Sequence, residues 1–114
     1  MTILVNARTD RVLLDELREA RGPWESFVGL MFAGSLDAAH GLLFRPARGI
    51  HTHFMRFPID LIYLDDTFSV QAIRERMAPW RFDFRSAAAV IEVNAGVARS
   101  SNIQVGDQLR IMAS

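Results

Sequence analysis

Apolar residues recur at two spacings along this chain, and the alternating one dominates. Thr2 to Asn6 has β character. The next stretch, RVLLDELREA from Arg11 to Ala20, reads in two ways. Leu13, Leu17 and Ala20 fall at helical spacing after Asp10, whereas Val12 and Leu14 alternate as a strand pairing back onto Thr2 to Asn6; we take the strand. A helix is predicted after Pro23, where Trp24, Phe27, Val28 and Met31 recur at i, i+3, i+4 and i+7 and Gly34 and Ser35 end the pattern. From Gly41 onward short strands follow: GLLF, IHTHFM and the strongly apolar IDLIYLD, which reads as a central strand. Asp65 and Asp66 supply a turn into Phe68 to Ile73, completing a hairpin, and Pro79 interrupts pairing. Ala88 to Val93 reads as a strand and Ala95 to Ser101 as a single helical turn. Val105, Gly106 and Asp107 then turn the chain into a last strand, Gln108 to Met112.

Composition narrows the chemistry more than the fold. The 114 residues suit one domain, 1–114, and no repeat or linker interrupts them. Thirteen basic residues balance thirteen acidic ones, which argues against nucleic acid or an anionic membrane as a global partner. Every basic residue is Arg, so Schiff-base lysines, lysine bases and the Walker-loop lysine are excluded. The absence of Cys excludes thiol nucleophiles, disulfides and cysteine metal sites. Ile3 to Val5 is too short for a signal-peptide core, and no segment reaches membrane-spanning length, so a cytoplasmic location is expected. GxSxG, GxGxxG and HExxH signatures are missing, and the neighbouring Ser35, Asp37 and His40 give no triad, because triads assemble in space.

Four segments in order carry a family likeness: GLMF at Gly29, GLLF at Gly41, HTHFMRFPIDLIYLD at His51 and VIEVNAGVARSSNIQVGD at Val90. From Gly29 to Ile111 the chain resembles the domain-of-unknown-function family numbered 192. The resemblance implies a compact, β-dominated domain without an established activity, substrate or cofactor. Pattern and resemblance lead to one expectation: an α+β fold with a barrel-like or curved antiparallel or mixed sheet and one or two short helices. Asn102 stands where the family often has Gly, and Asn tolerates a positive φ better than most residues.

The residues that could carry chemistry cluster in the third and fourth segments. His51 and His53 would share one strand face, the spacing of many two-histidine metal sites, with His40, Asp60 or Glu92 as a third ligand. A hydrogen-bonded histidine pair at a strand edge is the simpler reading, and no cofactor is expected. Asp60 opens an apolar run and needs a partner, Arg56 or a His; it reads as a buried ion pair fixing the bend at Pro58, or as a general acid or base. Glu92, within Val90 to Val93, either faces solvent or, as the resemblance implies for a Glu here, lines a pocket or caps a helix start near Ala95. Asp107 reads as a turn residue. The segment Arg74 to Arg85 interleaves Trp80, Phe82 and Phe84 with Arg, which would suit single-stranded nucleic acid or, more simply, a half-buried strand. The leading expectation is therefore a binding or accessory module with its ligand residues among His51, His53, Arg56, Asp60 and Glu92. A small-molecule or hydrolase-like enzyme built on His51, His53, Asp60 and Glu92 is the rival.

Overall fold

The computed structural model describes residues 2–19, 40–45, 47–51, 58–78 and 82–113, with backbone alone at 47–51 and 82–84. Its strands are β1 (Thr2–Asn6), β2 (Arg11–Leu14), β3 (Glu16–Glu19), β4 (His40–Phe44), β5 (Ala47–His51), β6 (Ile59–Leu64), β7 (Val70–Met77), β8 (Phe82–Ala87), β9 (Ala89–Asn94) and β10 (Leu109–Ala113), with a short helix α1 (Val97–Ser100) before the last. The alternation at Val12 and Leu14 gives the strand it predicts, antiparallel to β1, and Glu16–Glu19 continues as a separate strand. The helix expected after Pro23 lies outside the described residues.

The strands form sheets ordered β10-β1-β2, β3-β4-β9-β6-β7 and β5-β8. All pairs are antiparallel except β3 with β4. Every residue of β6 is buried, as expected of a near-continuous apolar strand flanked on both edges, here by β9 and β7. The middle position belongs to β9, and β6 is its neighbour.

Period-two alternation divides the five-stranded sheet into two faces. Ile62 and Leu64 of β6 join Ile91 and Val93 of β9 in a cluster that also takes Leu4 and Leu14 from the three-stranded sheet, so one core ties the two sheets together. Ile59, Leu61 and Tyr63 face the other way, packed with Met77 and Val90 and flanked by Leu42 and Phe44. Gly41 lies where the sheets approach: a Cβ there would be 2.7 Å from Leu14 Cδ1 and 3.2 Å from Val93 Cγ1, so a larger residue would have to displace the Leu14 side chain. Among the described residues no helix is long and apolar enough to cross a membrane.

Two irregularities shape the region beside β6. Asp60 faces two residues of β7, because Ile59 pairs with Met77 and Leu61 with Arg74, a bulge in which Arg76 takes φ 53°. After β9 the chain passes Gly96 at φ 95°, enters α1, and leaves it through Asn102 at φ 55°, the left-handed conformation that Asn tolerates.

Candidate functional site

Two buried carboxyl groups sit one register step apart on neighbouring strands, since Asp60 pairs with Val93 and Leu61 with Glu92. That single step puts them on opposite faces of the sheet. Asp60 faces the main core and is fully buried. Its Oδ1 accepts the Arg76 N–H at 2.8 Å, and its Oδ2 accepts the N–H groups of Gly96 and Ala98, both at 3.0 Å. Gly96, at the N-cap, has no side chain with which to bond the first helical N–H groups, so Asp60 does this from another strand. One carboxylate thus fixes both the bulge of β7 and the start of α1. Among the described residues the partners of Asp60 are backbone donors, which the apolar setting of IDLIYL did not reveal, while Arg56, named as its ion-pair partner, lies outside them.

Glu92 has the opposite surroundings. Only 3% exposed, it lies between Leu42 and Leu61 in register, on the face that holds Val90 and Tyr63. Among the described residues it has no hydrogen-bond or ion-pair partner. Burial alone pushes its pKa up from the usual 4.5 to about 8, so the group carries its proton at neutral pH. The solvent-facing reading of Glu92 is therefore wrong, because the strand is covered on both sides, and the helix cap expected of it is supplied by Asp60.

The remaining candidates divide between placed and unplaced. His51 ends β5, its backbone paired with Phe82, while His53 and Arg56 lie outside the described residues. His40 begins β4 with Nε2 3.5 Å from Glu16 Oε2. Among the described residues no group of three or more His, Asp or Glu side chains could hold a metal ion. The segment Arg74 to Arg85 is no single strand: Arg74–Met77 closes β7 and Phe82–Arg85 opens β8. Arg85 holds its guanidinium 5.6 Å from the centre of the Tyr63 ring. Trp80 lies outside the described residues, as do the side chains of Phe82 and Phe84.

One polar node escaped the sequence altogether. Asp107 does occupy a turn and accepts the Gln104 N–H at 2.9 Å, but it is also buried and receives Asn6 Nδ2 at 2.9 Å and Arg8 Nε at 2.7 Å. The Arg8 hydrogen bond is the main cause that holds the Asp107 carboxyl below its ordinary value. Asn6 and Arg8 lie about a hundred positions away in sequence, so no local spacing could announce the contact. It fastens the start of the chain to the turn before β10 and carries no sign of chemistry.

Comparison with known proteins agrees with this architecture. The family model of DUF192, described as "Uncharacterized ACR", matches residues 4–111. A crystal structure of a "putative transcription regulator" from Sinorhizobium meliloti 1021 is similar at a TM-score of 0.74 and 24% identity, over 96% of this chain and 90% of that one. A protein of unknown function from Novosphingobium aromaticivorans DSM 12444 gives 0.73 and 22%, over 96% and 82%. At these identities the likeness is one of fold. Among curated proteins nothing matches the chain.

Proposed function

The chain belongs to the DUF192 family, and from that premise we propose a non-enzymatic binding or accessory module in which Glu92 is the recognition residue. The observation that carries this reading is a buried glutamate, only 3% exposed, in apolar surroundings with no polar partner among the described residues. Burying such a group without a partner works against folding, and the described residues give no stabilising reason for a Glu at this point. A neutral carboxyl offers one O–H donor beside one carbonyl acceptor, the complement of an amide or of a second carboxylic acid. Perturbed titratable groups of this kind concentrate at functional sites.

The hydrolase-like reading is weaker because Asp60 and Glu92 point to opposite sides of the sheet and both Asp60 oxygens are taken by backbone donors. Nucleic-acid binding through Arg74 to Arg85 requires exposed aromatic side chains at Trp80, Phe82 or Phe84, which lie outside the described residues, and the balanced net charge gives it no general support. The same proposal takes 1–114 as one domain and the curved sheets as approaching a barrel. The core cluster shared between the sheets and the Ser69–Gln108 bridge support it.

Replacing Glu92 with Leu tests the proposal. Isobutyramide at millimolar concentration is expected to stabilise the parent protein against heat, and the variant is expected to fold with equal or greater stability at pH 7 and to lose that gain. A Leu variant several kcal/mol less stable, or one stabilised by the amide as much as the parent, would overturn it.

A further inference from the structure

We propose that the groove between α1 and the bulged part of β7 binds a free α-amino acid with an apolar side chain. The groove holds about 240 Å³ and is lined by Ile73, Glu75, Ala98, Arg99, Asn102 and Ile103. Its floor is apolar: Ala98 and Ile103 are buried, and Ile73 packs against the main core. Its rim carries one charge of each sign. Arg99 Nε lies 3.4 Å from Glu75 Oε1, and Arg99 Nη2 lies 3.5 Å from Oε2, both side chains being substantially exposed.

These contacts are long for a charge-assisted pair, whose N···O distance is typically about 2.7–2.9 Å. An exposed pair of this kind contributes little and opens readily. A zwitterion entering between the two side chains would give its carboxylate to Arg99 and its ammonium to Glu75. Net charge is balanced before and after, and the ligand's apolar side chain rests on Ile73, Ala98 and Ile103. Size restricts the occupant further, since sites for drug-sized ligands run to roughly 300–1,000 Å³. The groove suits something nearer a single amino acid than a nucleotide.

The walls are held before any ligand arrives. Asp60 bonds the N–H of Ala98 on one side and of Arg76, next to Glu75, on the other. A site fixed in this way loses little freedom on binding. It is independent of Glu92, because Ile73 pairs with Ile62, which faces the main core, whereas Glu92 is on the other face.

The test is an NMR titration of the full chain with L-leucine, 4-methylpentanoate and 3-methylbutylamine. Leucine is expected to shift the amide signals of Glu75 and of 98–103 with a millimolar Kd. Each analogue, lacking one charged group, should bind about tenfold more weakly, the factor that corresponds to 1.4 kcal/mol. Glu75→Gln and Arg99→Gln should each lose a similar factor. Both residues are exposed, so unchanged melting temperatures will show that the variants fold, and Glu92→Leu should bind leucine normally. Absence of shifts at saturating leucine, or equal affinity in the Glu75→Gln/Arg99→Gln double variant, would overturn the proposal.

Discussion

The two faces of the five-stranded sheet treat a buried carboxyl in opposite ways. On the core side, Asp60 accepts three backbone N–H groups and organises a bulge and a helix start. On the other side, Glu92 is surrounded by Leu42, Leu61 and Val90 and holds its proton. Burial is nearly equal, so burial alone does not tell architecture from recognition. What separates them is whether the structure supplies donors to the charged form. Asp60 is explained by the donors around it, and for Glu92 the described residues supply none.

Removing Asp60 should break this contrast most severely. Asp60→Ala leaves the N–H groups of Arg76, Gly96 and Ala98, the first two part-buried and the last buried, without their acceptor, and is expected to cost about 3–5 kcal/mol in urea unfolding, since each abandoned donor carries a desolvation penalty of roughly 1–3 kcal/mol. A loss below about 1 kcal/mol would deny Asp60 its organising role.

Glu92 should show itself through pH. The folded state keeps a proton up to about pH 8 that an unfolded Glu releases near 4.5. Between those values the folded state binds more protons, so stability falls as pH rises through the window. The expected loss is a few kcal/mol, at about 1.4 kcal/mol per unit of pKa difference. Glu92→Gln should flatten this part of the profile.

Asp107 should show the reverse slope more mildly. Its carboxyl is held below the ordinary 3.8, so its contribution is present above that value and is lost as pH falls below it. Asp107→Asn should cost about 1–2 kcal/mol at pH 7 and remove this acid sensitivity. The smallest effect belongs to Asn102, at φ 55°. Asn102→Gly should be neutral to within about 0.5 kcal/mol, while Asn102→Ala should cost about 1 kcal/mol, both read by thermal unfolding.

Most of the strand pattern was legible because it is local. The alternation at Val12 and Leu14, the Asp65–Asp66 turn and the apolar run from Ile59 to Leu64 each announce their element within a few residues. The left-handed turn at Asn102 was readable from the family resemblance, which often has Gly there, together with the tolerance of Asn for a positive φ. Long-range facts were not. Nothing near Asp60 says that its partners are the amides of Arg76, Gly96 and Ala98. The parallel pairing of β3 with β4 and the Asn6–Arg8–Asp107 node likewise join distant parts of the chain. Of the candidate site, the sequence named both carboxylates, but it could not tell that a one-residue register step sends them to opposite faces.

The most direct measurement is a carboxyl ¹³C NMR titration of the folded protein that follows Glu92. The account predicts a midpoint near pH 8, with the group still protonated at pH 7. A midpoint near 4.5, as for an ordinary glutamate, would contradict it and remove the reason for assigning Glu92 a recognition role.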